Sequence, residues 1–220
     1  MRITLPSETA AEIVTVPSPS MGLVITPDIF GLRPLFDDHV ARFSKEWNMS
    51  VIAVEPFPDR EESLGADVEK RFAAVPTLND DDHLRDLEMA CDALGTARVG
   101  LMGFCMGGMY CFKSARSQRF DRIVSFYGMI TMPEAWRSST QHEPLDILRA
   151  GNADRVLAII GARDPYTPHA DVELLQETGA TVQVYSDAEH GFAHDTARPA
   201  HRPDDARDAF DRARKWLLGF

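Results

Sequence analysis

The stretch Arg98–Phe112, RVGLMGFCMGGMYCF, restricts the fold of this chain more than any other. Val99 to Met102 is a short apolar run of strand character, and it passes through a glycine-bounded cysteine straight into a helix-like stretch, Met106 to Arg116. The reading is strand, sharp turn, helix. Gly103 and Gly107 flank Cys105 at alternate positions, where side chains would collide with the adjoining strand and helix. Such a turn presents the sulfur at a helix start, where the dipole and free amide N–H groups favour a thiolate and later an oxyanion. The Met106 N–H is the natural donor. Taken alone, a cysteine in this setting is equally well a buried packing residue.

Elsewhere, short β-branched runs alternate with amphipathic stretches, the pattern of a parallel sheet wrapped by helices. Strands are expected at Ile13–Val16, Gly22–Ile25, Ser50–Val54, Arg122–Phe126, Arg155–Ile160 and Thr181–Tyr185. Helices are expected at Leu35–Trp47, His83–Leu94, Ala170–Thr178 and Asp204–Leu218. Leu87, Ala90, Cys91 and Leu94 recur at helical spacing and make one apolar face, as do Ala206, Phe210, Ala213 and Leu217. The acidic run Asp80–Asp82 reads as the polar start of a helix, where negative charge is favoured. The segment from Pro56 to Asp82 is poorly patterned and is expected to form loops with a short helix, a candidate pocket wall.

At 220 residues the chain has room for one domain, residues 1–220, with one core. Hydrophobic residues make up 44% and charged residues 26%, so a packed α/β core is expected. A net charge of -11 argues against nucleic-acid binding, and an anionic ligand would need a local cationic pocket. No apolar run is long enough to span a bilayer, and MRITLPSETAAEIV lacks the pattern of a signal peptide; the cytoplasm is the default location. The three cysteines, Cys91, Cys105 and Cys111, do not form a disulfide framework and are expected as free thiols. Along a helix, Cys105 and Cys111 are separated by roughly 9 Å, too far for a bridge.

The partners of Cys105 follow in order. After the strand VLAII the chain reads Gly161-Ala162-Arg163-Asp164-Pro165, and after TVQVY it reads Glu189-His190-Gly191-Phe192. Each places a polar side chain in a loop at a strand's carboxyl end. Nucleophile, acid, histidine is the chain order of α/β-hydrolases, in which the imidazole takes the nucleophile's proton and the carboxylate fixes its tautomer. Cys105, His190 and Asp164 are therefore the expected triad, on a mostly parallel central sheet flanked by helices.

The blocks TPDIFGLRP, RDLEMACDAL, VGLMGFCMGG, VSFYG, GARDPYTP and EHGF resemble, in this order, those of the dienelactone hydrolase family. The resemblance implies an enzyme cleaving a carboxylic ester or lactone without a cofactor, through a thioester that water then hydrolyses. It implies the Ile29 N–H as the second oxyanion donor, beside Met106. Asp28 stands where the family often has a glutamate that holds the resting thiol, and is one methylene shorter. Tyr127, in FYG, matches a residue near the substrate. His194 stands where enzymes acting on dienelactone have an arginine for the substrate carboxylate, and a neutral imidazole cannot make that bidentate clamp. Arg85, or Arg60 or Arg71, is the candidate replacement.

Other readings stay open from sequence. A general carboxylesterase or thioesterase would use the same residues, and a redox-sensing protein would use Cys105 for oxidation. His190 and His194 could pair at a metal only on a helix, which Gly191 disfavours, so no metal is expected. The partner is a small ester or lactone; whether the chain is a monomer or an oligomer is not written in the sequence.

Overall fold

A computed structural model describes residues 1–219, without the side chains of residues 61 and 62. Its strands are β1 (Arg2–Thr4), β2 (Ala10–Val14), β3 (Gly22–Thr26), β4 (Ser50–Val54), β5 (Val99–Phe104), β6 (Arg122–Phe126), β7 (Val156–Gly161) and β8 (Thr181–Tyr185). The α-helices are α1 (Pro34–Trp47), α2 (Glu61–Leu64), α3 (Val68–Ala74), α4 (Asp80–Leu94), α5 (Met106–Lys113), α6 (Pro144–Ala150), α7 (His169–Glu177) and α8 (Pro203–Leu218).

The strands form one sheet in the order β1-β2-β4-β3-β5-β6-β7-β8. β1, β2 and β4 pair antiparallel, and every pairing from β4 to β8 is parallel. Strands β3, β4, β5 and β7 are buried along their whole length, as sheets covered on both faces require. Helices α1 and α8 cover one face, where Phe36, Val40, Phe43, Ala209 and Leu217 meet Leu23, Phe104 and Phe126. The other face carries α4, α5, α6 and α7, packed through Leu87, Ala90, Phe112, Leu148 and Leu175. This is the α/β-hydrolase architecture expected from the alternating pattern.

The expected helix at His83 starts earlier, at Asp80. Asn79 caps it, its side chain accepting from the Asp81 N–H at 2.9 Å, and Asp80–Asp82 occupy its first turn. The strand expected at Ile13–Val16 lies at Ala10–Val14 as β2, paired antiparallel between β4 and the edge strand β1, which the sequence reading did not expect. Helix α5 ends at Lys113 and continues to Arg116 as a tighter turn. The poorly patterned segment folds into α2, α3 and a further turn at Val75–Thr77, and Phe57, Val75 and Leu78 pack against Met109 and Tyr110 of α5. It walls the sheet's carboxyl rim, as expected.

Cys91 and Cys111 are buried, and burial pushes the Cys91 thiol up to about 12 and Cys111 well above its ordinary value. Both are inert packing residues. Among the described residues, no helix is long and apolar enough to cross a membrane.

Candidate active site

The parallel register sets the carboxyl ends of β3, β5, β6, β7 and β8 along one rim, with Thr26 level with Gly103 and Phe104 level with Phe126. At the centre of that rim, Cys105 takes φ 56° and ψ -117° between β5 and α5. A non-glycine residue here is strained, and the strain is held by main-chain bonds on both sides. Cys105 N–H donates to Phe126 O at 3.0 Å, and its carbonyl accepts from Met109 N–H at 3.0 Å. Gly103 is required because a β-carbon there would lie 2.3 Å from the Gly107 carbonyl oxygen. The turn thus lifts the sulfur off the rim, half-buried, at the first turn of a helix.

Two neighbouring loops bring Asp164 and His190 together. Asp164 follows β7, its Oδ1 accepting from the Tyr166 N–H at 2.8 Å and its Oδ2 lying 2.8 Å from His190 Nδ1. A carboxylate at Nδ1 assigns the ring hydrogen to that nitrogen and turns Nε2 the other way. Nε2 is buried and closes no hydrogen bond. Burial works against a charged ring, but Cys105 and Asp164 outweigh it and hold His190 up at about 10.

Cys105 and His190 open into one cavity of about 340 Å³, walled by Ile29, Phe30, Val68, Phe72, Met129, Trp136, Tyr166 and Arg198. The wall is largely apolar with a few polar groups, as small-molecule sites are. Ile29 is fixed from behind, its carbonyl accepting from Arg71 Nη1 at 3.1 Å, and Met106 opens α5. Their N–H groups are the expected oxyanion donors. A larger groove of about 520 Å³ lies between α1 and α8, away from Cys105. We place the chemistry in the smaller cavity because it holds the nucleophile candidate.

Other expected contacts fall elsewhere. Asp28, Tyr127 and His194 are buried, and none lines the cavity. Both oxygens of Asp28 are taken by Arg33, at 2.6 and 2.8 Å. His194 lies between Asp28 and Tyr127, its ring closed on both sides. Arg85 is exposed on α4 and pairs with Asp82 at 2.7 Å, outside the site, while Arg60 donates to Thr77 at 2.7 Å. His190 and His194 serve separate carboxylates, and no group of three or more metal-binding side chains occurs among the described residues.

Sequence reading missed Arg198, which lines the cavity eight residues after His190. Its Nη1 stands where a β-carbon on Gly191 would come within 2.2 Å, so the guanidinium lies against the His190 loop. Arg198 also borders a neighbouring cavity of about 470 Å³ with Phe30, Arg33 and Arg71. The available signal was its place in the loop that carries the histidine. Tyr166, whose ring lies 4.8 Å edge-on to His190, was missed as well.

Fold and site together define an α/β-hydrolase. The family model for the dienelactone hydrolase family matches residues 10–219, and the chain belongs to that family. It is 28% identical, over 94% of this chain and 86% of the relative, to a probable 2-oxo-3-(5-oxofuran-2-ylidene)propanoate lactonase from a Bradyrhizobium species. It is 27% identical, over 80% of this chain and 75% of the relative, to carboxymethylenebutenolidase 2 of Cupriavidus pinatubonensis. The solved structure of a putative dienelactone hydrolase from Klebsiella pneumoniae matches with a TM-score of 0.88 at 24% identity, covering 100% of this chain and 98% of that one.

Proposed function

We propose that this protein hydrolyses a small carboxylic ester or lactone through a Cys105–His190–Asp164 triad and a thioester intermediate. The observation that carries the reading is a partly buried imidazole bound to Asp164 at 2.8 Å, its buried Nε2 without a hydrogen-bond partner, in the same cavity as Cys105. His190 takes the thiol proton as the Cys105 sulfur attacks the carbonyl carbon, and the carbonyl π pair moves to oxygen, which Ile29 and Met106 N–H groups stabilise. On collapse, the leaving oxygen takes its proton from His190, and an acyl-thioester remains. With the sulfur acylated, its negative charge is gone and the ring holds protons less tightly. His190 then takes a proton from water, whose oxygen attacks the thioester, releasing the acid and restoring the thiol. Turnover of p-nitrophenyl acetate, lost on alkylation of Cys105 by iodoacetamide, tests this reading.

The pH dependence has a definite sign. A histidine raised to about 10 keeps its proton through neutrality, and the associated stabilisation is fully present below pH 6.5 and lost as pH rises through about 10. Because protonation of an alkoxide leaving group uses that proton, kcat/KM for an alkyl ester such as ethyl acetate is expected to stay high through neutrality and fall near pH 10. A fall centred near 6.5 would show that Cys105 and Asp164 do not hold the ring charged.

The substrate class follows from Arg198 and from the relatives, named for propanoate and butenolide lactones. We place a substrate carboxylate at Arg198, whose guanidinium borders this cavity. Charge-assisted hydrogen bonds contribute about 1.5–3 kcal/mol, so Arg198→Gln is expected to raise KM for a carboxylated lactone by about 10–100-fold. Hydrolysis of p-nitrophenyl acetate, which is uncharged, should be unaffected. An equal change for both substrates would place Arg198 outside recognition.

A further inference from the structure

Beneath the cavity runs a second chain of buried polar groups that the triad does not use. Asp28 receives Arg33 through both oxygens and lies 2.8 Å from His194 Nε2 through Oδ2. His194 Nδ1 lies 2.5 Å from the Tyr127 hydroxyl, and the His194 backbone N–H donates to the same hydroxyl oxygen at 3.2 Å. Asp28 and His194 are each 1% exposed and Tyr127 is fully buried.

One hydrogen arrangement satisfies every bond. Nε2–H donates to the carboxylate, the Tyr127 hydroxyl donates to Nδ1, and its oxygen accepts the main-chain N–H. The ring is therefore neutral. Burial, the largest influence on His194, moves it the same way, outweighing the pull of Asp28. Burial would raise the Asp28 carboxyl, but hydrogen bonds from His194 and Arg33 more than offset it and hold it well below the ordinary carboxylate range.

Three rim loops meet at these bonds. Asp28 directly precedes Ile29, and its Oδ1 also fixes the Phe30 N–H at 3.0 Å. Tyr127 directly follows β6 at φ 41°, a constrained conformation for a tyrosine, with its N–H on Ile159 O at 2.7 Å. His194 lies in the loop that carries His190. A polar contact linking residues 28 and 194, 166 positions apart in the chain, fixes the oxyanion loop against the histidine loop.

We infer that Asp28, His194 and Tyr127 are positioning residues, a buried strap that holds the Ile29 N–H and the His190 ring in one frame around Cys105. The inference rests on the triad reading. Neither Asp28 nor His194 reaches the cavity, so the strap acts on geometry and leaves substrate affinity alone.

The test uses Tyr127→Phe and Asp28→Asn in the full chain with p-nitrophenyl acetate. Tyr127→Phe removes one hydroxyl and leaves no charge unpaired, so it keeps the experiment informative should Asp28→Asn fold poorly. Small displacements of catalytic groups cost up to about 100-fold, so kcat is expected to fall about 10–100-fold with KM within about twofold. The pH profile of Cys105 alkylation by iodoacetamide is expected to shift as well, because the His190 ring loses its frame beside the sulfur, and an unshifted profile counts against the strap. A folded Tyr127→Phe with unchanged kcat, or one whose loss appears in KM, overturns the strap alone. Full turnover after complete alkylation of Cys105 removes the triad reading, and the strap with it.

Discussion

Cys105→Ala is expected to abolish turnover of p-nitrophenyl acetate, by about four orders of magnitude or more, while the protein stays folded. Alanine meets the same backbone strain at φ 56° as cysteine does, and the main-chain bonds of residue 105 do not depend on its side chain, so the elbow should persist. His190→Ala is expected to lose as much, because the two groups act as a unit and their losses do not add. It leaves the buried Asp164 with the Tyr166 N–H as a remaining partner, at a cost of about 1–3 kcal/mol. Cys105→Ser should keep weak activity, since the cavity is arranged for a larger and more acidic nucleophile. Initial rates beside thermal melts decide the matter. If folded Cys105→Ala hydrolyses the ester at a rate near that of the unmodified protein, thioester chemistry is not the route.

The meeting of the three proposed triad residues at one rim was legible because chain order maps onto the sheet. Each of Cys105, Asp164 and His190 ends a strand pattern, and parallel strands in register deliver such residues to one rim. Their order along the chain therefore stands in for distance. The strands that were misplaced or missed lie at the antiparallel edge, where β1 has three residues and no apolar alternation to read. Helix α6 was missed for a related reason, being seven residues long and preceded by a polar loop.

The cavity wall was less legible than its chemistry. Val68, Phe72, Met129, Trp136 and Arg198 come from segments without periodicity, and only folding sets them around Cys105. The tie between Asp28 and His194 was hidden in a different way. Reading each position against a family pattern gives each a separate task, a thiol contact for one and a substrate contact for the other. In the fold the two satisfy each other, with Arg33 supplying the charge that a carboxylate without solvent requires. The position four residues after His190, where the family pattern has an arginine, holds His194. The arginine that lines the cavity is Arg198, four residues further on, where the sequence reading had looked to Arg85, Arg60 or Arg71.

Gly107→Ala is expected to damage catalysis more than its single methyl suggests. A β-carbon at Gly107 would lie 2.1 Å from the Thr26 carbonyl oxygen and 2.3 Å from that of Pro27, and both are main-chain atoms. No side chain can swing aside, so the elbow helix or the loop after β3 must move. That loop runs directly into Asp28 and Ile29, and its movement carries the proposed oxyanion donor away from Cys105. Overpacking of this kind costs about 1–3 kcal/mol of stability, and a loop shift of about 1 Å can remove 100-fold in rate. Gly179→Ala supplies the comparison. Gly179 has φ +90° and nothing within 4 Å of an added β-carbon, so its substitution brings backbone strain of about 1–2 kcal/mol without a clash. Urea melts should show similar losses for the two variants, and initial rates with p-nitrophenyl acetate should separate them, with Gly179→Ala near full activity and Gly107→Ala lower by about 100-fold. Equal activities would mean that the loop after β3 is free to yield without disturbing the reacting centre, and that Ile29 is not the donor on which the rate depends.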